Sequence, residues 1–324
     1  MSSASVVHTT LSARAVAEFV VSAYDLPGKP TVRLASRGFN DVYEIATSPP
    51  LFLRIGRQAR RSVDDVEAEG RALAEARAAG VPVAVAVRGR DGRFGQRLVA
   101  AEGDRAALLF VVAPGADPEA TPAHAWAQGR SLAHLHEVRL SEATRTTLRR
   151  VDLATMVEQP TARATALLAD RPLLVAGLER VAAGISQHIV EAGANVGLCH
   201  GDCHGFNARI DGDVATLFDF DDGGVGWLAY DLATYLRNCE LVSSSTCREL
   251  WTAFMTGYRS VRILPEADRA ALEAMVIVRE LWTFGAWAEG AEHWGDRWFR
   301  SVWAERRIEA LGERFDRLVG PRLA

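Results

Sequence analysis

Lysine is almost absent from this chain: of its 37 basic side chains only Lys29 is a lysine, and the other 36 are arginine. Chemistry that ordinarily relies on a lysine must use Lys29 or pass to an arginine, which is always charged and presents a planar fork of donors. Cysteine is scarce as well. Cys199, Cys203, Cys239 and Cys247 come late and are too few to staple 324 residues, which excludes a disulfide-dense scaffold and predicts a reducing compartment. An excess of basic charge is missing, because the formal net charge is -4; this excludes a nucleic-acid binder held by bulk electrostatics. Met1 to Thr10 lacks a basic start followed by an apolar run, and no stretch reads as the roughly 18 apolar residues of a membrane span. With no internal repeat and no low-complexity tract, the chain is expected to be soluble and cytoplasmic, with neither nucleic acid nor membrane as a partner. What remains is 48% hydrophobic and 24% charged, an ordinary globular composition long enough for a sizeable core.

The apolar pattern changes character along the chain. Val16, Phe19, Val20 and Ala23 recur at helical spacing between Ser12 and Tyr24, and the run ends in Pro27-Gly28-Lys29-Pro30, which predicts an opening helix. Three short apolar runs follow, around Val32–Leu34, Val42–Ile45 and Leu51–Ile55, parted by Gly38-Phe39-Asn40-Asp41 and Ser48-Pro49-Pro50; this spacing predicts an antiparallel meander. A helix is expected over Ser62–Ala79, stopped by Gly80-Val81-Pro82, and two further strands over Val83–Val87 and Ala107–Val112. The break at Ala113-Pro114-Gly115 divides residues 1–112 from 113–324. Beyond it nearly everything reads as helix except Asn195–Asp222, where apolar runs alternate with polar residues and glycines. A small β-rich lobe before a large α-rich lobe suggests a cleft enzyme.

The irregular stretch carries the chemistry. Within it His200, Asp202, His204 and Asn207 form a loop, Ala208–Ile210 and Ala215–Phe218 form a short hairpin, and Asp219, Asp221 and Asp222 follow. A hairpin returns its second strand to the start of its first, so Asp202 and Asn207 are expected near Asp219. Asn207 and Asp219 supply the hard oxygens that suit Mg²⁺. Asp202 is left to orient and deprotonate a hydroxyl.

His200-Gly-Asp-x-His-x-x-Asn207, an apolar strand, Asp219-Phe-Asp221 and then Tyr230-Asp-Leu-Ala233 resemble the aminoglycoside phosphotransferase superfamily, which includes choline kinases, homoserine kinase of the second type and a bacterial stress-response protein kinase. The resemblance implies an α+β, two-lobed protein-kinase-like fold: a small antiparallel β-sheet N-lobe with one main helix and a large, mostly helical C-lobe. It extends over most of residues 30 to 240. Ser36-Arg-Gly-Phe-Asn-Asp-Val-Tyr43 is similar to the family's nucleotide-covering turn, which makes Ser36 and Asn40 nucleotide contacts. Leu51-Phe-Leu-Arg54 is similar to the strand with the phosphate-binding base, here Arg54 in place of lysine, and Glu69 matches its helix partner. Leu108–Val112 matches the hinge that holds adenine by backbone hydrogen bonds, through Phe110 and Val112. Leu132-Ala-His-Leu-His136 matches a helix of the large lobe.

By position, the resemblance assigns Asp202 as catalytic base, His200 as the residue ordering its loop, Asn207 and Asp219 as metal ligands and Asp231 as a buried acid behind the loop. Arg279, Glu280, Trp282 and Glu289 stand where the family tends to build its acceptor pocket, Arg279 and Trp282 on one helix face and Glu280 and Trp287 on another, and Asp221 is a second carboxylate near the metal or the acceptor. The expected function is ATP- and Mg²⁺-dependent transfer of the γ-phosphoryl group to a hydroxyl of a small polar acceptor. An amino-alcohol or antibiotic-like acceptor is favoured, because Asp202, Asp221 and Asp222 gathered at one mouth would attract a cation. The competing readings are a Ser/Thr protein kinase of the stress-response type and, given the missing lysine, a nucleotide-binding pseudokinase or scaffold.

Blander readings attach to single residues. Cys199, His200, Cys203 and His204 are too crowded for a structural zinc site, and the cysteines are read as packing. Asp222 is read as part of a solvated acidic turn. Glu69 has the competing reading of a surface charge crowded by Glu67 and Glu75. His134, His136 and the tryptophans at 282, 287, 294, 298 and 303 are read mainly as packing residues.

Overall fold

The computed structural model describes residues 6–26, 28–297 and 299–320. Pro27 of the expected breaker and Trp298 of the expected aromatic core lie outside the described residues. In chain order the elements are α1 (Ala13–Ala23), β1 (Val32–Arg37), β2 (Asn40–Ile45), β3 (Leu51–Gly56), α2 (Val63–Ala78), β4 (Val85–Val87), β5 (Gln96–Ala100), β6 (Gly103–Val111) and α3 (Pro122–His136). Then come α4 (Glu142–Thr147), β7 (Arg150–Val151), a π-helical turn at Ala154–Glu158, α5 (Gln159–Leu167), α6 (Pro172–Ala192), β8 (Val196–Cys199), β9 (Ala208–Asp211) and β10 (Val214–Leu217). The last are β11 (Gly224–Trp227), α7 (Leu228–Cys239), α8 (Ser244–Arg259), α9 (Glu266–Trp294) and α10 (Val302–Val319). They group into two compact units: residues 1–118, 138–149 and 208–219 in the first, and 119–137, 150–207 and 220–324 in the second.

The first unit is built on one antiparallel sheet in the order β1-β2-β3-β6, with β4 and β5 both paired to the far side of the long β6. The sheet therefore has six strands where the sequence suggests five. Gln96-Arg97-Leu98-Val99-Ala100 buries only Gln96 and Leu98, the half-exposed alternation of an edge strand, and its arginine disguises it beside the preceding turn. Successive side chains on β3 point to opposite faces. Leu51, Leu53 and Ile55 pack with Val16 and Val20 of α1, whereas Arg54 falls on the other face, where Val66 of α2 packs with Ala106 and Leu108. At the start of α2, Ser62 and Asp65 cap each other's backbone N–H groups, an arrangement that stabilises a helix by about 1 kcal/mol.

Two later segments join this unit by specific bonds. The β9–β10 hairpin pairs Ala208 with Leu217, and Leu217 bridges Val83 while Ile210 bridges Ala116. The segment around α4 is tied by Ser141 and Thr144, whose hydroxyls donate to Glu75 at 2.7 and 2.6 Å. The first unit runs to residue 118 before these returns, and the returns themselves are decided by long-range pairing.

The second unit packs α5, α6, α7 and α10 around the 29-residue α9. Its core runs through Met275, Val278, Leu281 and Phe284. A three-stranded sheet, β7-β11-β8, lies beside α7 and delivers the chain from Cys199 into the polar loop. Helix α6 is long and apolar enough, by length and composition, to cross a membrane, contrary to the expectation that no stretch would pass that test. Here its Leu178, Val181, Ile185 and Ile189 face is buried in the core with α9 and α10.

Candidate active site

In the second unit the loop after β8 is fixed from behind. Asp231, fully buried in the first turn of α7, accepts the backbone N–H groups of His200 at 2.7 Å and Gly201 at 2.8 Å. Its Oδ2 also meets His136 Nε2 at 3.1 Å, and His136 Nδ1 meets the Tyr258 hydroxyl at 2.9 Å. With the proton on Nε2, His136 donates to the carboxylate and accepts from Tyr258, so every group in the chain is satisfied. Burial pushes the Tyr258 phenol up, which keeps it a donor. The tight turn requires Gly201: its φ is 83°, and a Cβ there would lie 2.0 Å from the carbonyl oxygen of Asp222.

The same loop presents Asp202. Its N–H donates to His200 Nδ1 at 3.3 Å, and the His200 ring packs against Phe220 with centroids 4.3 Å apart. Asn207 Nδ2 donates to the Asp202 carbonyl at 3.0 Å and to Oδ2 at 3.3 Å, which turns the amide oxygen of Asn207 away as an acceptor. Arg279 Nη2 donates to Asp202 Oδ1, and His204 Nε2 stands 3.5 Å from Oδ2. Burial works to raise the Asp202 carboxyl, but Arg279, then His204 and His200, outweigh it and hold the group below the ordinary carboxylate range. Burial also lowers His204 despite the attraction of Asp202.

The first unit assembles the other charged set. Arg54 on β3 reaches Glu69 of α2 with Nη2, 2.6 Å from Oε2, and Asp219 with Nη1, 3.4 Å from Oδ1. The expected Arg54–Glu69 pairing is thus present in the geometry. A second arginine that the sequence did not single out, Arg61, shares the same glutamate oxygen. Glu69 Oε1 is buried with no hydrogen-bond partner among the described residues. The three glutamates of α2 do not crowd a surface: Glu67 accepts the N–H groups of Phe94 and Gly95 at 2.6 and 2.9 Å, and Glu75 holds Ser141 and Thr144. Asp219 is half-exposed and sits at φ 64°, a left-handed conformation that aspartate tolerates better than most residues.

The nucleotide-side expectations are narrowed by the ladder. Phe110 pairs with Phe52 on one side and Ala86 on the other, so its backbone is inside the sheet; its ring lies 5.4 Å from the Arg54 guanidinium. Val112 donates its N–H to Pro50 at 3.0 Å, leaving only its carbonyl for a ligand. Ser36 is exposed on β1, and Asn40 opens β2 with its carbonyl accepting from Gly38 at 2.9 Å.

On α9 the two expected faces separate as drawn. Arg279 lies over the Trp282 ring at 4.4 Å, whereas Glu280 is buried and bonded to Arg237 and Arg307, a bracing contact between α7, α9 and α10. Asp221 and Asp222 are 6% and 8% exposed. The solvated turn expected for Asp222 is not found. The acidic mouth expected from Asp202, Asp221 and Asp222 is not an open one either, since two of the three are buried and the third is paired with Arg279. His136, read as packing, supports the loop through Asp231. Trp294 and Trp303 are 46% and 43% exposed, contrary to their reading as core. Cys199 and Cys203 are buried thiols, and no group of three or more His, Cys, Asp or Glu able to hold a metal occurs among the described residues. Asn207 and Asp219 carry oxygen donors of the kind a hard cation takes, the amide oxygen of one and the carboxylate of the other.

The model of the phosphotransferase enzyme family matches residues 31–273. An uncharacterized protein of Deinococcus radiodurans is 34% identical over 295 residues, covering 89% of this chain and 85% of the relative. Among solved structures, an amicoumacin kinase in complex with AMP-PNP, Ca²⁺ and Ami superposes with a TM-score of 0.73 at 18% identity, over 94% of this chain and 93% of that one. A microcompartment-associated aminopropanol kinase superposes with a TM-score of 0.63 at 25% identity, over 93% and 95%. The α+β architecture described above is the protein-kinase-like fold of these neighbours.

Proposed function

The chain belongs to the phosphotransferase enzyme family, and we propose that it moves the γ-phosphoryl group of ATP, with Mg²⁺, to a hydroxyl of a small polar acceptor. It is an enzyme of the kinase class, and its structural neighbours act on small acceptors. The observation that carries the reading is Asp202: a carboxylate paired with Arg279 on a loop whose backbone is fixed by Asp231. Such a group takes the hydroxyl proton as the acceptor oxygen bonds to phosphorus and the bond from phosphorus to the β-phosphate oxygen breaks, with ADP leaving.

The other residues position and neutralise. Arg54, braced by Glu69, is the phosphate contact; its fork suits phosphate and carboxylate alike. Asn207 and Asp219 offer the oxygens for the cation, which when bound neutralises charge on the phosphates. Asn40 and Ser36 cover the nucleotide, and the chain around Val112 meets its base. Trp282 and Asp221 stand on the acceptor side. The aminopropanol kinase, at 25% identity, supports an amino-alcohol acceptor. The buried state of Asp221 and Asp222 removes the separate argument that an open acidic mouth selects the amine.

The test is incubation of the pure protein with Mg-ATP and a panel of amino alcohols, aminoglycosides, homoserine and generic protein substrates, followed by mass. Gain of one phosphoryl group by a small acceptor is the expected result. Transfer to protein alone, or to nothing, overturns it.

A further inference from the structure

Asp202 has two carboxylate oxygens, and nothing intrinsic to the side chain decides which faces the acceptor, because the terminal torsion of an aspartate is broad and two-fold. The two oxygens nevertheless have different surroundings. Oδ1 receives Arg279 Nη2 in a charge-assisted bond, the stronger kind. Among the described residues, Oδ2 has only the longer approaches of Asn207 Nδ2 at 3.3 Å and His204 Nε2 at 3.5 Å.

Arg279 is itself immobilised from three directions. Its Nη1 points at the carbonyl of Gly201 and the hydroxyl of Tyr230, both at 3.4 Å. Its guanidinium lies 4.4 Å from the centroid of Trp282, one turn further along the same helix, where a cation over an indole face is stabilised. Only 14% of the side chain is exposed. Tyr230 is fully buried, and burial pushes its phenol up to about 12 although Arg279 opposes the shift, so it remains a hydroxyl. One guanidinium thus grips both the carboxylate of Asp202 and the backbone of the residue before it.

We propose that Arg279 is a positioning residue for Asp202: it holds Oδ1 and the Gly201 carbonyl, and so leaves Oδ2 as the oxygen that meets the acceptor hydroxyl. The assignment differs from a role in binding the acceptor. A residue that binds acceptor acts on its KM, whereas a residue that acts through the base acts on kcat. The inference rests on the phosphotransferase reading above.

The experiment compares wild type with Arg279→Met, Arg279→Lys, Asp202→Asn and the double variant Asp202→Asn with Arg279→Met, using Mg-ATP and whichever acceptor the wild-type enzyme phosphorylates. Methionine keeps an unbranched chain against Trp282 and removes the charge. Arg279→Met should lower kcat about 10-fold to 100-fold, the range for loss of geometric control over a reacting group, with the acceptor KM changed by less than about twofold. Arg279→Lys restores a charge next to Oδ1 without the planar fork and should recover part of the lost kcat. The double variant should be no slower than Asp202→Asn alone, because Arg279 acts only through Asp202. A rise in acceptor KM at unchanged kcat, or additive losses in the double variant, overturns the proposal and leaves the phosphotransferase reading standing. If Arg279→Met fails to fold, Arg279→Lys decides by the same split between kcat and KM. Absence of phosphoryl transfer by wild type to any acceptor overturns both.

Discussion

Three aspartates of similar sequence context have become three different groups because of their partners. Asp202 is held ionised by Arg279, Asp219 is half-exposed against Arg54, and Asp222 is buried. Asp202→Asn keeps the shape of the side chain and removes its capacity to accept a proton, so kcat should fall by roughly 10²-fold to 10⁴-fold with the nucleotide KM nearly unchanged, and the melting temperature should fall as well because Arg279 loses its charged partner; turnover close to wild type in steady-state assays would remove Asp202 from the reaction. Arg54 and Glu69 make the second residue-scale case. Glu69 is 4% exposed and serves two arginines, and removing one member of a buried pair costs about 3–5 kcal/mol when the other is left uncompensated. Arg54→Ala and Glu69→Ala should each raise the KM for ATP and lower kcat, with the double variant little worse than the worse single. Arg54→Lys should keep partial activity. Strictly additive losses, read from the four corners of the cycle, would dissolve the pair.

At the scale of elements, the β1–β3 meander, α1, α2 and the helical character of the second half are legible because apolar residues recur at the right period: Val42–Ile45 and Leu51–Ile55 alternate, and Val16 and Val20 lie one turn apart. The Asp202 loop is legible for a different reason, since its chemistry-bearing residues all fall within the short stretch from His200 to Asn207. What escapes is whatever depends on a distant partner. Arg61 is a bystander until α2 brings Glu69 to it, His136 is packing until Asp231 arrives from 95 residues away, and β5 goes unassigned until β6 pairs with it. The hinge expectation is narrowed at Val112 in the same way, because Pro50 claims its N–H and leaves only the carbonyl. The anchoring of the catalytic loop to α7 gives the element-scale prediction. Asp231→Asn preserves volume but has one accepting oxygen for the N–H groups of His200 and Gly201, so a buried donor is left unsatisfied at a cost of about 1–3 kcal/mol. Denaturant unfolding should show that loss as a lower midpoint at constant slope, accompanied by a larger fall in kcat than in nucleotide affinity. A variant as stable and active as wild type would mean that the loop holds its shape without α7.

For the whole molecule, the three readings of function differ in how ligands couple to stability. The small-molecule kinase needs both nucleotide and cation bound to the native chain, and a ligand that binds only the native state at 100 times its Kd adds about 2.7 kcal/mol. One kcal/mol moves the midpoint of a domain of 150–250 residues by about 2–4 °C, so saturating AMP-PNP with Mg²⁺ should raise the melting temperature by about 5–10 °C, and chelation of the cation should remove most of that rise. The carboxylate responsible is identified by Asp219→Asn, which keeps a residue that tolerates the left-handed backbone at φ 64° and deletes the charge. Because Asp219 is 47% exposed, this change should leave the ligand-free midpoint almost where it was while cutting the Mg²⁺-dependent part of the shift. Asp222→Asn makes the contrasting control: Asp222 is buried, so its loss should lower the ligand-free midpoint and leave the ligand-induced increment in place. A pseudokinase that holds nucleotide without a cation would show a shift indifferent to chelation and to Asp219→Asn, with no transfer to any acceptor. A protein kinase would share the Mg²⁺-dependent shift and part company at the acceptor, where small hydroxyl compounds would add no further stabilisation beside AMP-PNP. The small-molecule reading expects a further increment from the true acceptor, lost when Asp219→Asn abolishes the ternary complex.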